Sequence, residues 1–261
     1  MACLATPTYA STSPAGLASP DLLGSDSCAR RPDASYRVGM ATSHPGMSMN
    51  KTIHRAVRRD LTRFRDALDA FVDGDEERAA ALWLAWENFD DQLTDHHQGE
   101  HAVAWPALAA IGIAGSTIDT FDIEHEAMAA DLTTAGQAMA RLRSTASRSD
   151  ADVAAAAAME RLQATTVSHL DHEEALTEEP LRQKEGDPAL KEMGRQFSRR
   201  SSPAKAGTFF AWMQDGATQE EMSALRANVP GPVLMLLSGL FGRRYRKEVS
   251  TVWRPLRGAG T

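Results

Sequence analysis

The sequence predicts an all-α protein: an up-down-up-down four-helix bundle with a helical appendage at its C-terminal end. Three observations carry this. Apolar residues recur at steps of three and four over four stretches of about 20–30 residues, the period of a helix that buries one face. Turn and stop residues fall between the stretches, leaving the short connections that join antiparallel neighbours. No stretch alternates apolar and polar residues in the way a half-buried strand does.

Helical patterning begins at about Lys51, where Ile53, Val57, Leu61, Phe64, Leu68 and Phe71 form one apolar face. Gly74 stops it. A second helix is expected from about Asp75 to Ala104, with Leu82, Trp86, Phe89 and Leu93 in its stripe. Trp105-Pro106 should end it, because proline disfavours helix in the residue before it. Gly112 and Gly115 mark a loop, and Ser116 or Thr117 would cap a third helix. That helix runs to about Arg143 with Ile118, Phe121, Met128 and Leu132 on one face. Ser144 to Ser149 is a polar turn, and Asp150 is the expected cap of a fourth helix. Pro180 should stop the fourth helix after about Glu179. Beyond Asp187 the pattern is helical but broken, with segments near 188–198, 204–214 and 218–227. Residues 187–261 therefore read as a helical extension of the bundle.

Composition excludes several classes. The 261 residues are 43% hydrophobic and 24% charged, enough for a real core. The net charge of −7 gives the whole chain no bulk affinity for nucleic acid. No apolar run reaches the roughly 18 residues of a spanning helix. The two cysteines, Cys3 and Cys28, both lie in the first 50 residues. The helical part can therefore build neither a disulfide framework nor a thiolate metal site, and a cytoplasmic location is expected.

Residues 1–48 are rich in Ala, Ser, Thr, Pro and Gly and are expected to be disordered. They lack the basic start and apolar core of a signal peptide. Met47 and Met49 stand just before the first helix as alternative starts, which N-terminal mass analysis of the native protein tests.

Charge and histidine are unevenly spread. Residues 51–190 carry 13 basic and 27 acidic side chains, whereas residues 191–261 carry 12 basic and 5 acidic. Seven of the eight histidines lie between His54 and His172, inside the acidic segment. They repeat one pattern. His54 comes early in the first helix and His96-x-x-x-Glu100 late in the second. His125 comes early in the third helix and His169-x-x-x-Glu173 late in the fourth. In an up-down-up-down bundle these four places share one end of the core. Residues four apart differ by about 40° around a helix and about 6 Å along it, so each His/Glu pair can face one interior point. Imidazole with carboxylate suits iron or manganese and tolerates zinc. Bundles build two-metal sites from such side chains on facing helices.

Four stretches carry a resemblance. Thr52-Ile-His-Arg-Ala-Val-Arg-Arg-Asp-Leu61 resembles the opening helix of the hemerythrin HHE cation-binding family. Asp95-His-His-Gln-Gly-Glu-His-Ala-Val-Ala-Trp-Pro-Ala-Leu108 resembles its second helix, with the usual aromatic-Pro end. Asp122-Ile-Glu-His-Glu126 resembles the third and His169-Leu-Asp-His-Glu-Glu174 the fourth. The likeness covers about residues 50–182 and extends more weakly to Trp253-Arg-Pro255. It implies a hemerythrin-like bundle with a non-haem di-iron cofactor. His54, His96, His125 and His169 would be terminal ligands, and Glu100 and Glu173 would bridge two irons. The family's oxygen carriers place a fifth histidine four residues from the one in the third helix. Here those positions are Phe121 and Ala129, so a nitrogen ligand is expected to be missing. Asp122, Glu126, His101 or His172 are the available substitutes. Because His96 and His97 point about 100° apart, only His96 is expected to face the core, with His97–His101 as a rival pair.

The resemblance implies a protein that binds O2, peroxide or nitric oxide at this centre. A di-iron peroxidase or nitric-oxide-handling enzyme is the alternative, as is an iron or oxygen sensor acting through the C-terminal extension. A bundle whose metal site has decayed is a further alternative. The run Val233-Leu-Met-Leu-Leu-Ser-Gly-Leu-Phe241, followed by Gly-Arg-Arg-Tyr-Arg-Lys247, is too short to span a membrane. It is expected to pack onto the bundle or across a homodimer, with membrane contact the lesser reading. Trp83, Trp86 and Trp105 are expected to be core residues.

Overall fold

The computed structural model describes residues 47–146 and 148–254. Every regular element among them is helical. Four long helices carry the fold: α1 (Met49–Asp69), α2 (Glu76–Gly99), α4 (Gly115–Thr145) and α5 (Val153–Gln183). Between α2 and α4 stand a π-helical segment, Glu100–Ala104, and the short helix α3 (Trp105–Ala110). α1 packs on α2 and α5, and α4 packs on the same two helices, so the four enclose one core. Leu61, Phe64, Leu82, Trp86, Phe89, Leu93, Met128, Met139 and Leu162 fill it and are buried.

The caps explain the boundaries. Ser48 accepts from the Lys51 amide at 2.9 Å and starts α1. Met47 beside it is buried. These two residues thus depart from the disorder expected for 1–48, the rest of which lies outside the described residues, with Cys3 and Cys28. Asp75 caps α2 by accepting from the Arg78 amide. Helix α4 starts at Gly115 after Ala114, without the Ser116 or Thr117 cap expected. Helix α5 takes its cap from Asp152 rather than Asp150, because a π-helical turn over Arg148–Asp152 intervenes.

Neither proline acts as the stop expected. Pro106 lies at the start of α3, where a missing N–H costs little. The wider π register just before it lets the chain continue helically to Ala110. Pro180 lies inside α5, near an end that persists to Gln183.

The C-terminal residues form α6 (Pro188–Arg200), α7 (Pro203–Gln214), α8 (Gln219–Asn228) and α9 (Gly231–Phe241). Short π and 3-10 turns over Tyr245–Trp253 follow. They meet the bundle at α1, at α2 and, through α6, at α3, and the polar joint is on α1. Asp60 of α1, almost fully buried, accepts from the Trp212 indole at 2.7 Å, Arg59 Nε at 2.8 Å and Arg63 Nη1 at 3.1 Å. Asp215 accepts from Arg63 at 2.9 Å, Tyr245 Oη at 3.0 Å and Ser250 Oγ at 3.1 Å. Trp253 closes the junction, edge-on to Phe64 and under the Arg63 guanidinium. Among the described residues no single helix is long and apolar enough to cross a membrane.

Candidate metal centre

Seven side chains from α1, α2, α4, α5 and the π segment after α2 meet at one end of the core. They form two groups, His54, His96, Glu100 and Glu173, and His97, Glu100, His125 and His169. Within each group the potential ligand atoms all lie within 4.8 Å of one another. Glu100 belongs to both.

The structure brings together all six residues that the sequence singles out, and adds a seventh. His97 faces the same interior as His96, contrary to the expectation that only one of them would. On a helix Glu100 sits about 40° round from His96 and about 60° from His97, between the two. A site wide enough for two groups therefore receives one histidine on each side of that carboxylate. The ring of His97 stacks on His125 with centroids 4.1 Å apart. His97 thus offers, from the second helix, a nitrogen that the third was expected to lack.

The proposed substitutes stay outside both groups. His101 is exposed and turns to Asp122, which also accepts from the Trp105 indole at 2.8 Å. Glu126 is exposed. His172 stands at the rim, bonded to Glu124.

Two carboxylates orient the rings from behind. Glu174 lies 3.0 Å from His54 Nδ1 and also accepts from Arg58 at 2.7 Å. Burial works against its ionised form, but the bonds from His54 and Arg58 hold its carboxyl down at about 2. An ionised carboxylate only accepts, so Nδ1 of His54 carries the proton. Nε2 lies 3.1 Å from Glu173 Oε2 and donates to it when the ring is protonated. Glu124 does the same for His169, accepting from Nδ1 at 2.8 Å, and holds His172 Nδ1 at 2.8 Å with its other oxygen. Neither Glu174 nor Glu124 stands out in the sequence. Their only signal is a place next to a candidate ligand.

Burial decides the charge states. It lowers His96 and His97 well below the ordinary histidine range, helped by the neighbouring imidazoles. It brings His125 to about 4 and lowers His169 as well. These rings are neutral at pH 7, the form that binds metals. His54 differs: burial opposes its protonation, but Glu173 and Glu174 outweigh burial and raise it. Burial, with the like charge of Glu173, pushes Glu100 well above the usual carboxylate range.

The donor atoms themselves test whether a cation fits. Nε2 of His54, His96 and His97, both oxygens of Glu100 and Oε2 of Glu173 are buried without a well-formed hydrogen bond, and four of them merely face one another, His54 Nε2 3.1 Å from Glu173 Oε2 and His96 Nε2 3.1 Å from Glu100 Oε1. Leaving one such atom unpaired costs about 1–3 kcal/mol, more where it is charged. His125 and His169 also turn Nε2 toward each other at 2.9 Å. Two nitrogens bound side by side at ordinary imidazole–metal lengths of about 2.0–2.1 Å stand about 3 Å apart. The arrangement fits a His/carboxylate metal site.

The family model described as "Hemerythrin HHE cation binding domain" matches residues 48–181. No curated protein and no solved structure gives a match.

Proposed function

This chain belongs to the hemerythrin HHE cation-binding family, and from that premise we propose that the cluster holds two iron ions and binds O2, peroxide or nitric oxide. One observation carries the reading: six buried donor atoms without a well-formed hydrogen bond converge in two groups that share Glu100. His54, His96 and Glu173 would hold one ion, His97, His125 and His169 the other, with Glu100 between them. Nitrogen and carboxylate donors without thiolate suit iron or manganese. When bound, iron supplies one-electron redox chemistry and open coordination positions.

The protein's own groups do the rest. Glu174 and Glu124 fix the tautomers of His54 and His169. Asn50 donates to Glu173 at 3.1 Å and steadies it. Phe121 and Trp105 wall His169 and His125 with apolar rings. His54, Glu100, His169 and Glu173 are each at most 3% exposed, which favours a ligand of two or three atoms over a larger substrate.

The test is metal content and the visible spectrum of freshly purified protein, before and after air. Two irons per chain with a spectrum that changes on exposure support the proposal. A full complement of zinc with no spectrum would sink it. Steady consumption of peroxide by the iron-loaded protein would mark an enzyme rather than a carrier.

A second reading, an iron or oxygen sensor, is favoured by the double duty of α1. It gives His54 to the cluster and, less than two turns on, Arg59 and Asp60 to the C-terminal helices. Protease protection of residues 188–252 that requires iron would support a sensor, and equal protection without iron would refute it.

A further inference from the structure

Helix α9 is apolar on both sides, but only one side is covered. Leu234 and Ser238 are buried against the protein. Gly207 of α7 brings the two helices so close that a Cβ there would meet Phe241 Cβ at 2.4 Å and the Leu237 carbonyl oxygen at 2.5 Å. The helix is thereby fixed with its other side turned outward. Eight large hydrophobic side chains are exposed among the described residues, and four of them are on α9. Met235 is 76% exposed, Leu236 52% and Leu240 49%. At 100° per residue these three fall within about 140° of one another, with Gly239 between them. Packing within the chain, one of the two fates expected of this run beside a homodimer contact, therefore covers one side only.

Basic side chains frame that outer side. Arg243 Nε donates to the Gly239 carbonyl at 3.2 Å, and Arg246 Nη2 donates to the same oxygen at 3.3 Å. Both guanidinium groups thus fold back toward the exposed apolar stripe. Lys247 is exposed beside them. Arg244 is paired with Glu248 at 2.9 Å. Helix α9 has no Asp or Glu with which a second copy could neutralise these arginines.

We propose that Met235, Leu236 and Leu240, with Arg243, Arg246 and Lys247, form a docking surface for an anionic lipid bilayer. The apolar side chains enter the boundary between headgroups and acyl chains, and the cations meet lipid phosphates and carboxylates. Neither α8 nor α9 is long and apolar enough to cross a membrane by itself, and the contact proposed is with the surface.

The experiment is co-sedimentation of the full chain with phosphatidylcholine vesicles, with and without phosphatidylserine. Binding is expected only with phosphatidylserine and is expected to fall steeply with salt. Each basic residue at such a surface is worth about fivefold in affinity. The double variant Arg243→Glu/Lys247→Glu should therefore weaken binding by more than about 25-fold, since the charge is reversed. Met235→Ser/Leu240→Ser should weaken binding on its own, without changing circular dichroism or metal content, because both side chains are exposed. No sedimentation with anionic vesicles, or equal sedimentation with neutral ones, would overturn the proposal. So would a dimer in analytical ultracentrifugation that Met235→Ser/Leu240→Ser abolishes, because a second copy would then be the occupant.

Discussion

The Nε2 atoms of His125 and His169, carried by α4 and α5, stand 2.9 Å apart in the core. His169 donates through Nδ1 to Glu124, so its Nε2 presents a lone pair. A proton on His125 or a cation between the rings must satisfy that pair. Burial keeps His125 neutral down to about pH 4, so such a proton would sit on Nε2 of a neutral ring and leave Nδ1 as the acceptor.

His97 and His101 separate the observed cluster from the rival pair. His97→Ala is expected to lower bound iron and His101→Ala to leave it unchanged, because only His97 belongs to a donor group. Elemental analysis of the two variants decides it. Equal iron in both would place His97 outside the ligand set.

Glu124 touches no cation on this reading, yet it fixes His169. Glu124→Ala should cost roughly 10–100-fold in metal affinity, the usual effect of losing a carboxylate behind a ligating histidine. Competition with a chelator measures it. His172→Ala, which leaves the Glu124–His169 bond in place, should change affinity far less.

Acid should destabilise the metal-free protein. The histidine reference value is 6.5 and folding depresses His125 to about 4. Below pH 6.5 the unfolded chain therefore binds a proton that the folded chain refuses. The loss builds as pH falls to about 4 and reaches on the order of 3 kcal/mol. His96, His97 and His169 shift in the same direction. His54, raised by its two glutamates, opposes them, with a contribution present below 6.5 and lost as pH rises through its folded value. Urea midpoints from pH 7 to 4 should fall for the wild type and fall less for His125→Gln. Parallel curves would contradict this.

Asp60 holds the C-terminal helices to α1. Asp60→Ala leaves the Trp212 indole and Arg59 Nε without their acceptor, while Arg63 keeps Asp215, and should cost about 1–3 kcal/mol. Asp66→Ala removes an exposed pair with Arg65 and should change stability by less than about 0.5 kcal/mol. Denaturant melts compare them, and protease should open residues 188–252 first in the Asp60 variant.

Two glycines on facing helices should respond oppositely. Gly207→Ala drives a Cβ into the backbone of α9 and should destabilise by about 1–3 kcal/mol. Gly239 has nothing within 4 Å of its would-be Cβ, so Gly239→Ala should gain up to about 1 kcal/mol from helix propensity. Thermal melts give the sign.

The helices were legible because their stripes are long and periodic, as with Val57, Leu61, Phe64 and Leu68. The six candidate ligands were legible because spacing and order place them at one end. His97 was not. The 100° rule excludes it only for a site one ion wide, and the width of the site appears only once α4 and α5 face α2. Pro106 misled for a related reason: a π segment is a backbone adjustment with no residue signature. The Asp60–Trp212 bond joins residues 152 apart in sequence, and no local pattern announces it.

Six donors inside the bundle that lack a well-formed hydrogen bond set a condition on the life of the protein. On the reading proposed above, a folded chain without its cation carries that debt at the place where α1, α2 and α5 meet. Local opening there is easier, and a cation that binds only the folded form closes it by mass action. How long each molecule survives proteases would then follow the supply of its metal, so scarcity would be felt first as turnover and only later as lost activity.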